Sequence, residues 1–244
     1  MRVVLALLRL CRVLYCVAAG WLTLKVRFAH MSLPQRELAI QRWASQMLRA
    51  LGVSLEVQGK RLQPGPLLLL ANHVSWLDIL SLHALRHCRF VAKAEVHQWP
   101  VVGAMAVAAG TLFIERQSSR DALRVVHQMA QALQRGDVLA VFPEGTTSDG
   151  RGVLPFHANL LQAAVVTQTP VQLVHLAYVD QVSGHRAESV CYIGDQTLVG
   201  SIWRTLSAPA VKATVRVGDS QRADNRNRRQ WAADLHQNML TLRE

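Results

Sequence analysis

Three short apolar runs in this chain stop abruptly at polar residues, and that pattern constrains the fold more than any other feature. Leu67–Ala71 is followed at once by Asn72 and His73, Thr111–Ile114 by Glu115 and Arg116, and Val138–Phe142 by Pro143, Glu144, Gly145 and Thr146. Short apolar runs bounded in this way read as buried strands. In an open α/β sheet, ligands bind outside the carboxyl ends of the strands, which is where these polar residues fall.

The rest of the chain from Val53 onward has the same texture. Further strands are predicted at Val53–Gln58, Arg89–Ala92, Val171–Tyr178, Ser189–Ile193 and Lys212–Val217. Helices are predicted at Trp76–Leu85, Val101–Ala108, Asp121–Arg135, Ala158–Thr167 and Asn225–Leu242. Strands alternating with helices predict an α/β fold, a mixed and partly parallel sheet flanked by helices. Half of the residues are apolar and 18% are charged, which excludes a chain that is disordered throughout. The four cysteines form no CxxC pair, so neither a disulfide framework nor a zinc finger is expected.

Charge is concentrated at the amino terminus. The formal net charge is +11, and the first 50 residues hold eight basic side chains against Glu37 alone. Those cations sit among Leu, Val, Ala and Trp, a pattern that favours an anionic lipid surface over nucleic acid. Residues 3–24 are long enough to span a bilayer but are interrupted by Arg9 and Arg12. On a helix, Arg2, Arg9 and Arg27 fall within about 20° of one another, which predicts a basic stripe on a helix lying in the bilayer interface. A second amphipathic stretch runs from Gln35 to Leu51, with Gly52 as its stop. The organisation expected is an N-terminal amphipathic helical hairpin that associates with membrane (1–52) and an α/β domain (53–244).

His73 and Asp78 are five residues apart, which on one continuous helix leaves their side chains about 140° apart. They meet only if His73 lies in the turn before the helix and Asp78 in its first turns. The carboxylate then fixes the imidazole tautomer, and the other ring nitrogen can take a proton from a hydroxyl. Otherwise His73 or Asn72 caps the helix and Asp78 is exposed. Arg116 offers a planar fork for phosphate, or is a surface residue paired with Glu115. Gly145 lets a ligand approach the backbone, and Glu144 either accepts a bond from a substrate hydroxyl or anchors its loop. His83 and His87, one turn apart on a predicted helix, read as solvated surface or as two ligands of a metal site with no third.

Together the three blocks, Asn72 to Asp78, Gly110 to Arg116 and Phe142 to Thr146, resemble the glycerophospholipid acyltransferases typified by 1-acylglycerol-3-phosphate acyltransferase. That family carries Asn-His-x4-Asp, Gly-x-x-Phe-Ile-x-Arg and Phe-Pro-Glu-Gly-Thr in this order. The resemblance implies His73 as general base, Asp78 as its orienter, Arg116 on the polar head of the acceptor, and Glu144, Gly145 and Thr146 shaping the acceptor site. It also implies an acyl-ACP or acyl-CoA thioester as donor substrate, with no bound cofactor and no metal. Thr147 and His157 stand where the family often has Arg and Lys, and the run through Asp149-Gly150 looks more like the branch that acylates lyso-ornithine lipid. The expectation is acyl transfer to the hydroxyl of a lysophospholipid, 1-acylglycerol-3-phosphate first and lyso-ornithine lipid second, at the cytoplasmic face of the cell membrane. The rival readings are a non-catalytic basic membrane-binding module and a hydrolase that uses the same base on water.

Overall fold

The leucine run that follows Pro66 becomes the middle strand of the sheet. The computed structural model describes residues 2–114 and 119–244. Within them, β1 (Val53–Gly59), β2 (Leu67–Ala71), β3 (Arg89–Lys93), β4 (Leu112–Ile114), β5 (Val138–Val141), β6 (Val171–Asp180) and β7 (Val211–Gln221) form one sheet in the order β1-β7-β6-β2-β5-β3-β4. Every neighbouring pair is parallel except β6 with β7. β2 is apolar throughout because both of its faces are covered. Leu68 and Leu70 point into a core with Met129, Leu133, Trp231 and Leu235. Leu67, Leu69 and Ala71, on the opposite face by the two-residue period, pack with Leu82, Phe90 and Val174.

Parallel pairing brings the sequence blocks together. Leu70 of β2 lies opposite Val141 of β5, and Lys93 of β3 lies opposite Ile114 of β4. The carboxyl ends of β2, β5, β3 and β4 therefore open on one side of the sheet, and the residues that follow β2, β5 and β3 emerge side by side.

Among the described residues, eight helices surround the sheet: α1 (Arg2–Val26), α2 (Leu33–Leu51), α3 (Leu77–Leu85), α4 (Val102–Ala108), α5 (Ser119–Gln134), α6 (Gln162–Thr167), α7 (Leu198–Ser207) and α8 (Arg228–Arg243). The first two form a hairpin through a 3-10 turn at Phe28–His30. α2 starts at a capping box in which the Gln35 side chain accepts the Ser32 N–H at 2.9 Å, and it ends at Gly52 with φ +80°. Met47, Leu48 and Leu51 of α2 pack against Leu77 and Leu80 of α3, so the hairpin is part of the folded body.

Two expectations are corrected and one element is added. Arg9 does not join an outward basic stripe. It is 6% exposed, and its Nη1 donates to the carbonyls of Leu206 at 3.1 Å and Ala208 at 2.6 Å, at the carboxyl end of α7. A cation there satisfies carbonyls that the helix leaves open and complements its dipole. The guanidinium passes directly over Gly52, where any Cβ would collide with it. Second, Ser189–Ile193 is not a strand but a 3-10 turn at Glu188–Val190 and a strap, whose Tyr192 N–H donates to Val74 O at 3.0 Å instead of to a sheet neighbour. The added element is α7, which the sequence analysis does not include: it buries Leu206 with Ser201 and Thr205, while Val199 and Trp203 are exposed.

Candidate active site

Asn72 is the first residue beyond β2, and it continues the sheet with its side chain. Its Nδ2 donates to Leu176 O at 2.9 Å, and its Oδ1 accepts the Leu176 N–H at 2.6 Å. This amide pairs with β6 as a backbone peptide would, so Asn72 is not a helix cap. The chain then turns through His73, Val74 and Ser75 into α3.

Asp78, on the first turn of α3, closes that turn. Its Oδ2 accepts the N–H of Val74 at 2.7 Å and of Ser75 at 2.9 Å, and it faces His73 Nδ1 at 2.8 Å. Its Oδ1 accepts the Tyr178 hydroxyl at 2.6 Å. The carboxylate is fully buried, and these donors supply the compensation that a buried charge requires. Burial and the adjacent Asp78 carboxylate push the Tyr178 hydroxyl well above its ordinary range, so it stays a proton donor. His73, before the helix, and Asp78, within it, meet as the spacing required.

The pair fixes the use of the imidazole. With Nδ1 turned to the carboxylate, Nε2 is the nitrogen left for another partner. The ring stacks on Phe142 with centroids 3.8 Å apart and planes 11° off parallel, and the side chain is 19% exposed. Phe142 follows β5, so the strand-end geometry supplies both the ring and its platform.

Glu144 answers the alternative left open by the sequence. Its Oε1 accepts the His73 N–H at 2.6 Å and its Oε2 accepts the Leu154 N–H at 2.7 Å. It is 3% exposed and absent from the cavity wall, so it anchors the loop that carries His73. Burial raises its carboxyl above the usual range, while the two backbone donors and His73 act the other way. Gly145, at φ +72°, and Thr146 are on the wall. A side chain at Gly145 would come within 2.9 Å of the His157 ring. Thr147, in place of a cation, donates its hydroxyl to Tyr192 O and ties the loop to the strap. Arg116 lies outside the described residues.

His73, Phe142, Gly145 and Thr146 open on a cavity of about 1410 Å³ between the helical hairpin and the sheet edge. Most of its wall is apolar, from Val17, Leu38 and Trp43 on the hairpin to Met105 on α4. Arg27, Arg42 and Lys93 are its permanent cations, and no carboxylate lines it among the described residues. Lys93 was missed in the sequence, although it follows a predicted apolar strand just as His73 and Glu144 do. His83 and His87 also differ from expectation. α3 ends before His87, and both rings are largely buried and stacked with centroids 5.7 Å apart, so they are not a solvated helix face.

Residues 54–176 match the family model described as Acyltransferase. The chain is 41% identical over 172 residues to a 1-acyl-sn-glycerol-3-phosphate acyltransferase of Neisseria meningitidis, covering 70% of this chain and 66% of that protein. It is 37% identical over 206 residues to a lyso-ornithine lipid O-acyltransferase of Pseudomonas aeruginosa, covering 82% of this chain and 78% of that one. The fold is similar to that of the 1-acyl-sn-glycerophosphate acyltransferase PlsC from Thermotoga maritima, with a TM-score of 0.70 at 20% identity over 99% of this chain and 97% of that one. The chain belongs to the glycerophospholipid acyltransferase family.

Proposed function

We propose that this protein transfers a fatty acyl group from an acyl thioester to the hydroxyl of a lysophospholipid, and that the acceptor is 1-acylglycerol-3-phosphate. The observation that carries the reading is the His73–Asp78 pair at the wall of a large apolar cavity, with Nε2 left to meet a hydroxyl. In the reaction, His73 takes the acceptor proton as the oxygen attacks the thioester carbonyl. Collapse of the tetrahedral intermediate breaks the carbon–sulfur bond, and the proton on His73 passes to the departing thiolate. Thr146, whose backbone N–H has no partner among the described residues, is our candidate donor to the developing oxyanion. No covalent enzyme intermediate is needed, and we propose that neither a metal nor a bound cofactor takes part.

Phosphate is favoured as the acceptor head group by the cavity's charge. Arg27, Arg42 and Lys93 suit a phosphate, and an ornithine ammonium would find no carboxylate among the described lining residues. Lyso-ornithine lipid is the second reading, favoured by Thr147 and by the similarity to the Pseudomonas protein. The donor is an acyl-ACP or acyl-CoA, and the site of action is the cytoplasmic face of the cell membrane. Thiol release from an acyl thioester, followed with and without lysolipid, tests the reading. Release that depends on lysolipid and yields a diacyl product supports it. Release without lysolipid identifies a hydrolase, and no release identifies a binding module.

A further inference from the structure

Among the polar rings that line the cavity, one is almost wholly buried and takes no part in the proposed reaction. His83, on α3, is 6% exposed and lines the same cavity as His73. It belongs to an aromatic ladder: His73 stacks on Phe142, Phe142 lies 5.9 Å from Phe90, and Phe90 meets the edge of His83 at 5.0 Å. Its Nδ1 is fully enclosed without a hydrogen-bond partner, so Nε2 is the only nitrogen through which the ring can serve the cavity. Enclosed N–H groups without partners are rarer than enclosed acceptors, which places the proton on Nε2. Burial and the neighbouring His87 push its pKa down to about 3, so the ring is neutral and carries one donor.

We propose that His83 donates a hydrogen bond from Nε2 to an oxygen carried on the lipid chain that occupies the cavity, and so selects a hydroxylated or ester-linked chain over plain hydrocarbon. When the cavity is open, water can serve this N–H. A plain alkyl chain expels that water and leaves the donor unpaired, whereas an oxygen at the right depth replaces it. Sites built around a buried polar group reject a ligand lacking the partner more strongly than apolar pockets reject an extra group. The inference rests on the acyl-transfer reading for the identity of the chain, and the oxygen can come from donor or acceptor.

Two ligand pairs separate these sources: palmitoyl against hydroxypalmitoyl thioester, and ester-linked against ether-linked lysophosphatidate. Affinity and turnover are measured for the full chain in detergent micelles. The wild type is expected to favour, about tenfold, the member of one pair that bears the extra oxygen (the chain hydroxyl or the ester carbonyl), a typical effect of one buried hydrogen bond. His83→Leu abolishes that preference, and His83→Gln, which keeps a donor, retains part of it. His83→Phe keeps the ring contacts with Phe90 and serves if the leucine variant does not fold. The pair that responds identifies the source of the oxygen. Equal preferences in wild type and apolar variants, in both pairs, overturn the proposal. Binding is read without turnover, so a protein that shows the preference but transfers no acyl group overturns the proposed reaction and not the role of His83.

Discussion

Asp78 does more than face an imidazole. It also holds the two amides that shape the turn and the hydroxyl of Tyr178 on β6. His73 and Asp78 should therefore fail differently. His73→Ala removes a partly exposed ring and should lower acyl transfer by about 10²–10⁴, the usual range for a general base, with little change in melting temperature. Asp78→Asn should lose transfer to a similar extent and destabilise the fold as well, because an amide cannot accept from all four donors. Parallel thioester assays and thermal melts check both, and full activity in His73→Ala would sink the mechanism. Lys93→Gln should raise KM for lysophosphatidate by about tenfold to a hundredfold, the value of one charge-assisted bond, while changing lyso-ornithine lipid acylation little. Competition between the two acceptors in mixed vesicles reads this out, and equal losses for both would remove Lys93 from head-group recognition. For His73 and Asp78 the spacing stated the condition for their meeting, a turn before the helix, and the resemblance supplied the roles; the contact itself is seen only in the fold. The anchoring role of Glu144 was not legible in the sequence, since its partners, His73 and Leu154, are joined only by the folded loops.

Among the elements, legibility follows how directly burial is written in side-chain chemistry. β2 is apolar at every position because it is covered on both faces, and it was found with its ends correct. α7 buries Ser201 and Thr205 beside Leu206, so its inward face mixes hydroxyls with apolar side chains, and it was not found. Its carboxyl end depends on Arg9 from another element 197 residues away in sequence, a contact that no local pattern announces. Arg9→Leu should lower stability by roughly 1–3 kcal/mol, since it leaves the carbonyls of Leu206 and Ala208 without their charged donor. Denaturant unfolding measures this, and an unchanged midpoint would show that α1 is not fastened to α7 there. The strands and helices also carry a pH dependence. His83 on α3 and His175 on β6 are pushed by burial to about 3 and about 4 from an ordinary 6.5. As pH falls below about 6.5, the unfolded chain takes up protons at these two sites that the folded protein refuses, so stability falls. The loss should continue down toward pH 4, with a slope from this pair approaching two protons. His83→Gln and His175→Gln should each flatten it by up to one, as unfolding free energies measured between pH 7 and 4.5 would show.

At the scale of the molecule, α1 is pulled two ways. It is 25 residues long and apolar enough to cross a bilayer, and little of it is buried against the protein. Val3, Val4, Leu7, Leu8, Leu14 and Tyr15 face outward, yet Arg9 is bound to α7 and Trp43 Nε1 of α2 donates to Cys16 O at 3.0 Å. Crossing the bilayer would require the Arg9 contacts with α7 to break and a guanidinium to enter hydrocarbon. Lying in the interface keeps them and still covers the outward apolar face with lipid. We therefore expect the hairpin to bind anionic vesicles without spanning them. Salt should weaken this binding, because Arg2, Arg12 and Lys25 meet the head groups, but should not abolish it, because apolar burial is insensitive to screening. Single cysteines placed by Val3→Cys and Leu33→Cys, with the four native cysteines replaced, decide the topology in sealed vesicles. If α1 alone spanned, position 3 would react with an impermeant thiol reagent trapped inside; if the hairpin spanned, position 33 would. The interfacial arrangement predicts labelling at both positions from the outer side to which the protein was added, and reaction of either with the trapped reagent would overturn it.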